Sequence, residues 1–496
     1  MFHAVNLSYL LSLHGLVTVL ALFLYVMASH ALQQRRHPSA AIGWVLFIVL
    51  LPYVALPFYL VFGTRKITRS DHIAAALGPG LAAGGTWLAR ITGALGQPAA
   101  LPYADLRIHA DGAQALHALL ELIDGARVSL DLCTFILRRD AVGVAVAEHL
   151  AARARAGVRV RVLLDGVGRM MGGWADLSGM RGAGVQVGYF VPSLRTPFKG
   201  RVNLRNHRKL VVADAGLARE RLWCGGRNLA TEYFEGEDET PPWHDLTFDL
   251  RGPVARQAAE LFQRDWVFSM GEPPRERAAG APGPASMWAR FRDTAAHPSV
   301  WPASVAAAAQ VAPAGTPVPF TAQVISSGPD QADDSVHALL VAASYRAARR
   351  IALVSPYVVP DDSLLMALCL AARRGVMVDL LMPARSNHRL ADAARHRSLR
   401  ALAAAGARVW LVPRMLHAKA AIFDDDLAFG GSTNLDGRSL FLNYELMVAF
   451  NAPAEVARFA RWFEDERAGA QRYVLRPPGL MRDIAEGMLL WVGFQM

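Results

Sequence analysis

The sequence predicts an α/β protein built as two similar domains, each a mixed sheet flanked by helices, behind a two-helix transmembrane hairpin. Three observations carry that reading. Strand and helix patterns alternate in an order that is then repeated, the triplet His-x-Lys-x4-Asp occurs once in each copy, and apolar residues crowd into two charge-free segments at the N-terminus. The implied divisions are 1–66 for the hairpin, 67–100 for a linker, 101–270 for the first domain, 271–319 for a second linker, 320–475 for the second domain and 476–496 for a C-terminal amphipathic tail.

The hairpin comes first. Leu7 to Ala28 and Ala40 to Phe62 contain no Asp, Glu, Lys or Arg. At about 1.5 Å per residue, either segment is long enough to cross a hydrocarbon core of roughly 30 Å. A cleaved signal peptide would carry a basic stretch ahead of its apolar run; none precedes Leu7, and a second full-length segment follows. Pro52 and Pro57 are expected to kink the second segment. The short loop holds Arg35 and Arg36, whereas Arg65, Lys66 and Arg69 flank the far end, an excess that favours the large C-terminal body on the cytoplasmic side.

After a Gly/Ala/Pro-rich stretch from Gly78 to Pro102, Val128 to Ile136 reads as a buried strand, Val142 to Ala156 as a helix and Val158 to Leu164 as a second strand. The order returns as Ile351 to Val359, Ser363 to Arg373 and Val376 to Met382. Leu150 to Gly157 followed by VRVRVLL matches Leu370 to Gly375 followed by VMVDLL, and Gly182-Ala183-Gly184 matches Ala404-Ala405-Gly406 further on. Gly271 to Pro319 lacks periodicity and reads as a linker. Near the C-terminus, Leu489, Leu490, Trp491, Val492 and Phe494 fit an interfacial contact or a helix packed on the second domain.

Composition narrows the chemistry. The 52 Lys and Arg exceed the 42 Asp and Glu by ten, which suits an anionic partner such as a phospholipid surface. Cys133, Cys224 and Cys369 are too few and too scattered for a disulfide scaffold or a zinc cluster. The chain has only four lysines, Lys66, Lys199, Lys209 and Lys419, so the other 48 basic residues are arginine. Two of those four stand in the repeated triplet: His207, Lys209 and Asp214, then His417, Lys419 and Asp424.

On a strand, residues two apart share a face, so each histidine points the same way as its lysine. Asp214 and Asp424 complete the catalytic motif, but seven residues past the histidines they need not share that face and are read as structural partners near the strand ends. Behind each triplet come glycines and an asparagine, Gly225-Gly226-Arg227-Asn228 and Gly430-Gly431-Ser432-Thr433-Asn434. The glycines allow close backbone approach to an anion, and the Asn228 and Asn434 amides can donate to a phosphate oxygen. Asp245, after Trp243-His244, and Glu445, after Asn443-Tyr444, give each half a carboxylate that could orient a catalytic histidine through one ring nitrogen.

These residues resemble the phospholipase D superfamily, and over nearly the whole chain they are similar to bacterial cardiolipin synthases. The resemblance rests on the two HxKx4D copies, on Arg205-Asn206-His207-Arg208-Lys209, on Ser355-Pro356-Tyr357 through Asp361, on Leu416 through Ser439, and on the apolar module with Arg35-Arg36-His37-Pro38 and Leu51-Pro52. The first half departs from the pattern in an expanded stretch, Ala215 to Trp223, and in a long acidic one, Glu232 through Pro242, and both bear on the second substrate.

The resemblance implies a multi-pass enzyme of the bacterial inner membrane that works on phosphatidylglycerol and anionic lipid, with no nucleic acid, metal or cofactor. It also implies that His207 attacks phosphorus to form a phosphohistidine. His417 then serves as acid and base, while Lys209, Lys419, Asn228 and Asn434 hold the phosphate. If the acceptor is a second phosphatidylglycerol the product is cardiolipin; if it is water, the enzyme is a phospholipase D. Transfer using phosphatidylethanolamine, a nuclease and an inactive membrane scaffold are the other readings.

Overall fold

In the computed structural model of the chain, residues 7–31, 38–62, 86–173, 175–191, 203–237, 240–270, 320–331, 333–482 and 486–487 are described. The second linker, most of the first, Lys66, Lys199 and the apolar run 489–494 lie outside the described residues.

The N-terminal module is α1 (Leu7–Ala31), α2 (Pro38–Leu50) and α3 (Pro52–Phe62). The second apolar segment is thus broken at Leu51. Pro52 opens a new helix there, as a residue with fixed φ and no amide hydrogen does well in a first turn. Ala21, Tyr25, Trp44, Ile48, Ala55 and Tyr59 form a buried seam between the helices, with Trp44 and Tyr59 edge to face at 5.1 Å. The outward side chains are also apolar: Leu16, Phe23, Val26, Ile42, Leu50, Tyr53 and Phe58 are all exposed. Among the described residues no helix is long and apolar enough to cross a membrane, although the α1 backbone runs for 25 residues, about 37 Å at the usual helical rise.

The rest is built on two sheets of matching order. In the first half, β2 (Ala104–Ile108), β3 (Ser129–Thr134), β4 (Arg159–Asp165), β5 (Gln186–Phe190), β7 (Leu210–Ala213), β8 (Arg221–Gly225) and β9 (Thr247–Arg251) lie in the order β2-β9-β8-β7-β3-β4-β5. In the second, β10 (Thr321–Ser327), β11 (Arg350–Val354), β13 (Met377–Pro383), β14 (Arg408–Val412), β15 (Ala420–Phe423), β16 (Leu427–Gly431) and β18 (Asn443–Phe450) follow as β10-β18-β16-β15-β11-β13-β14. β3, β4 and β5 of the first half, and β11, β13 and β14 of the second, are parallel, and the motif strands β7 and β15 run against them. The glycines that repeat in the sequence serve one purpose in both halves: Gly157 and Gly375, like Gly184 and Gly406, take positive φ where a helix turns into a strand.

Edges and crossings complete the arrangement. β1 (Leu101–Pro102) and β19 (Gln471–Arg472) extend the second sheet at its two edges, and β12 (Val358–Val359) pairs with β17 (Leu435–Asp436). The run read as one strand from Ile351 to Val359 therefore divides around Pro356, which cannot donate to a ladder. β6 (Arg205–Asn206) leaves the first half to pair with β18 of the second. The stretch read as a linker, 67–100, contains a helix, α4 (Trp87–Ala94), whose Leu88 joins the second half's core. Gln97 beyond it accepts from the Ser326 amide at 2.9 Å and donates to Ser335 at 2.9 Å. Composition hid this because its apolar face is only two turns long.

Helices α5 (Gly112–Gly125) and α6 (Ala141–Arg155) cover the outer face of the first sheet, with Asp111 and Asp140 capping their first turns. α8 (Ser335–Arg346), α9 (Asp362–Arg373) and α10 (Arg389–Ala404) cover that of the second. Between the sheets lie α7 (Val254–Met270) and α11 (Pro453–Arg467) in one shared core that joins Leu210, Phe248 and Phe262 to Val324, Phe450 and Phe459. The inner sheet faces pack on each other through this layer, so the ends of β7 and β15 that carry the motifs meet.

Candidate active site

His207 and Lys209 immediately precede β7, and His417 and Lys419 immediately precede β15. Each histidine is held by backbone of the opposite half. The His207 amide donates to Tyr444 O at 2.9 Å, continuing the β6–β18 pairing, and the His417 amide donates to His244 O at 2.6 Å. Tyr444 and His244 are the residues just before Glu445 and Asp245. The two carboxylates are thereby delivered across the domain junction.

His207 Nδ1 lies 3.0 and 3.2 Å from the Glu445 oxygens, and His417 Nδ1 lies 2.7 Å from Asp245 Oδ2. A carboxylate at Nδ1 accepts its proton and leaves the lone pair on Nε2. Glu445 is further held by Ser432, whose hydroxyl donates to Oε2 at 2.5 Å, and by Asn443 Nδ2 at 3.2 Å. Asp245 packs instead against Gly226, where a Cβ would sit 2.2 Å from Oδ1. Gly225 and Gly431 occupy equivalent places in β8 and β16, and a Cβ on either would strike the carbonyl of Leu246 or Leu446 at 2.3 or 2.1 Å. The glycines admit the carboxylate-bearing strand, where the sequence suggested close approach to an anion.

The lysines fold back onto their histidines. Lys209 Nζ donates to the His207 carbonyl at 2.7 Å; Lys419 Nζ donates to the His417 carbonyl and stands 2.8 and 3.0 Å from the two ring nitrogens. Both lysines are buried. Burial lowers Lys209 to a pKa of about 8 against the pull of Glu445 and Asp245, and lowers Lys419 to about 7, with Lys209 adding to the fall. Burial and then Lys419 push His417 down to about 3, Asp245 opposing; burial lowers His207 too, with Glu445 opposing and both lysines reinforcing. Burial would raise Asp245 and Glu445, but Lys419 with His417 and His207 with Lys209 hold them below the carboxylate range. Each half's lysine thus acts on the other half's histidine, as expected of side chains that converge on one site.

Asn228 Nδ2 donates to Tyr233 Oη at 2.8 Å and Asn434 Nδ2 to Ser439 Oγ at 3.1 Å, while the two carbonyl oxygens, Oδ1 of each, are buried without a hydrogen bond. Both hydroxyl partners can donate as well as accept. Turning either amide over therefore keeps its existing contact and presents an NH2 group where an oxygen now lies unpartnered.

Asp214 and Asp424, counted with the catalytic motif from the sequence, stand outside this cluster. Each lies just past its motif strand at positive φ, +53° and +47°, and accepts from backbone amides that begin the neighbouring strand: Arg127, Val128 and Ser129 for Asp214, Ala348, Arg349 and Arg350 for Asp424. Arg219 also pairs with Asp214 at 2.6 Å. Against burial, these donors hold both carboxyls below their ordinary range. Asp214→Ala is expected to lower stability by about 1–3 kcal/mol by stranding those amides, with the kcat of the remaining folded enzyme within about threefold of the parent; urea unfolding beside an activity assay checks both.

Several contributors escaped the sequence reading. Tyr233 and Trp243 pack on the His417 ring at 5.1 and 5.7 Å, and Phe135 meets the His207 ring at 5.3 Å. The acidic stretch that departs from the pattern therefore supplies a wall of the site. Arg208, fully buried, pairs with Asp265 and donates to Glu445 O at 3.0 Å and Ser327 O at 3.2 Å, tying the halves together behind His207. Its place between His207 and Lys209, on the opposite strand face, was the available signal.

A family profile described as "Cardiolipin synthase, PLD-like domain" matches residues 119–266 and 340–467, one match per half, and one described as "Phospholipase_D-nuclease N-terminal" matches residues 16–63. Cardiolipin synthase A of Pseudomonas aeruginosa (strain LESB58) is 32% identical over 457 residues, covering 86% of this chain and 83% of that protein. Cardiolipin synthase A of Pseudomonas putida (strain W619) is 30% identical over 460 residues, covering 87% and 86%. Among solved structures, phosphatidylserine synthase of Haemophilus influenzae Rd KW20 shares the fold, with a TM-score of 0.58 at 12% identity over 82% of this chain and 99% of that one. With two phospholipase D-like halves and relatives matched along most of its length, the chain belongs to the bacterial cardiolipin synthase family, enzymes of the phospholipase D-type phosphatidyltransferase class.

Proposed function

We propose that this enzyme makes cardiolipin from two phosphatidylglycerols, releasing glycerol, through a phosphohistidine. The observation that supports it most is the crossed pairing of His207 with Glu445 and His417 with Asp245, which leaves the lone pair of each ring on Nε2, with the lysine of each half folded back onto its histidine. His207 Nε2 attacks the donor phosphorus, forming an N–P bond as the P–O bond to the glycerol headgroup breaks. The departing alkoxide takes a proton from His417, whose charged form is favoured once the phosphate anion offsets the lysines. The hydroxyl of the second phosphatidylglycerol then returns a proton to His417 and attacks phosphorus, and the N–P bond breaks. Lys209, Lys419 and the amides of Asn228 and Asn434 hold the nonbridging oxygens, the role a metal would otherwise fill.

In the same reading α1 and the α2–α3 segment lie in the bacterial inner membrane, with the catalytic body on the cytoplasmic side. The apolar exterior of the module supports this, since an exposed patch of that extent calls for an apolar solvent. Tethering at the bilayer raises the local concentration of a lipid acceptor over that of other alcohols.

Purified enzyme in phosphatidylglycerol vesicles is expected to release one glycerol per cardiolipin formed. Phosphatidic acid as the main product overturns the synthase reading in favour of a hydrolase. Donor affinity is expected to fall as pH rises. Below about 7 both lysines are charged in the empty site; above about 8 each must take up a proton when the phosphate binds, so KM rises by about tenfold per pH unit for each lysine. KM for phosphatidylglycerol in mixed micelles between pH 6 and 9 tests this, and a KM that falls over that range contradicts it.

A further inference from the structure

Beside His207 lies a second concentration of positive charge that the donor phosphate does not use. On the strand through β6, Asn206 and Arg208 both turn to Asp265, at 2.9 Å for Asn206 Nδ2, so Arg205, His207 and Lys209 share the opposite face. Arg205 is half-buried, and among the described residues its guanidinium donates to the Leu204 carbonyl at 2.6 Å and forms no ion pair. Its nearest acid by charge, Asp165, is occupied by the amides of Val167, Gly168 and Asn206 at 2.8, 3.1 and 2.9 Å.

Arg438 comes from the other half, on the short helix Gly437–Phe441 that Asp436 caps. It reaches across the junction to donate to Asn203 Oδ1 at 3.1 Å and Asn203 O at 2.9 Å, two residues ahead of Arg205. Arg205 is close enough to act on it: burial and then Arg205 lower the Arg438 pKa, with Asp436, Asp165 and Glu445 opposing. Two half-buried guanidiniums, one from each half and brought together by the Arg438–Asn203 contact two residues ahead of Arg205, can share one anion. The planar fork of arginine fits a phosphodiester through two oxygens at once.

We propose that Arg205 and Arg438 form a subsite for the phosphodiester of the acceptor phospholipid, beside the site that holds the donor. This rests on the transferase reading above, in which the acceptor carries a phosphate of its own that Lys209 and Lys419 cannot serve while they hold the donor. Recognition of that second phosphate selects phosphatidylglycerol over neutral alcohols and places its free glycerol hydroxyl toward His417.

The test is a competition in one tube, with the full chain in phosphatidylglycerol vesicles and 1-propanol as an acceptor without a phosphate. Wild type is expected to make cardiolipin and phosphatidylpropanol. Arg205→Gln and Arg438→Gln each lower the cardiolipin-to-phosphatidylpropanol ratio by about tenfold or more, while the phosphatidylpropanol rate stays within about threefold of the parent. Should a glutamine variant fail to fold, Arg205→Lys and Arg438→Lys, which keep the charge but lose the fork, lower the ratio by about threefold. A ratio unchanged in the variants, or both products falling together, overturns the subsite and leaves the synthase reading standing. Phosphatidylpropanol without cardiolipin from wild type overturns that reading, and the subsite with it.

Discussion

His207→Ala is expected to lower phosphatidyl transfer by at least about 10⁴-fold, because it removes the atom that bonds to phosphorus and leaves nothing to replace it. His417→Ala is expected to cost about 10²–10⁴-fold with the natural donor, the usual worth of a positioned acid and base. The two variants differ when the glycerol headgroup is replaced by p-nitrophenol, a leaving group that needs no proton. His417→Ala then still takes up the phosphatidyl group and accumulates it, since the second step lacks its base, whereas His207→Ala takes up none. Isolating the labelled peptide decides the matter: label on residue 417 in the wild-type chain, with none on 207, exchanges the two roles.

The crossed carboxylates predict a second large effect with an unusual distribution. Glu445→Gln is expected to lower transfer by about 10²–10⁴-fold, since an amide can donate to Nδ1, drive the proton to Nε2 and so block the lone pair. The damage should fall on His207, although residue 445 belongs to the other half: Glu445→Gln resembles His207→Ala and takes up no label from the activated donor. Asp245→Asn, with the same loss on the natural donor, resembles His417→Ala and accumulates label. A reversed pattern, in which each acid disables the histidine of its own half, rules out the crossed pairing. Melting temperatures of both variants separate a chemical loss from a folding one, as both acids are buried.

Much of the architecture is legible in the residues because it depends on local periods. Buried strands such as Val158 to Leu164 are short apolar runs, their helices carry an aspartate at the cap, and glycines recur where a left-handed turn is needed, so the duplication shows before any contact is known. The pieces that were misread are those whose role depends on distant partners. α4 sits in a stretch with linker composition and is kept by the core it joins. Asp214 and Asp424 differ from these: spacing alone sets them near the strand ends, and there they accept from backbone amides. Gly225 and Gly431 read as room for an anion and instead admit the neighbouring strand.

The sequence by itself determined that there are two equivalent halves, that His207 with Lys209 and His417 with Lys419 alternate onto one face of an extended segment, and that each half has an asparagine and a carboxylate beyond its motif. A two-residue alternation is enough to encode all of that. Only the tertiary structure decided which acid serves which histidine. The partners are 238 and 172 residues apart, and no periodicity links such positions. They are fixed by β6 crossing to pair with β18 and by His244 bridging to Leu416, registers set by the packing of two inner sheet faces around α7 and α11. The same packing places Arg438 beside Arg205, which is why the proposed acceptor subsite has no counterpart in any single stretch of the chain.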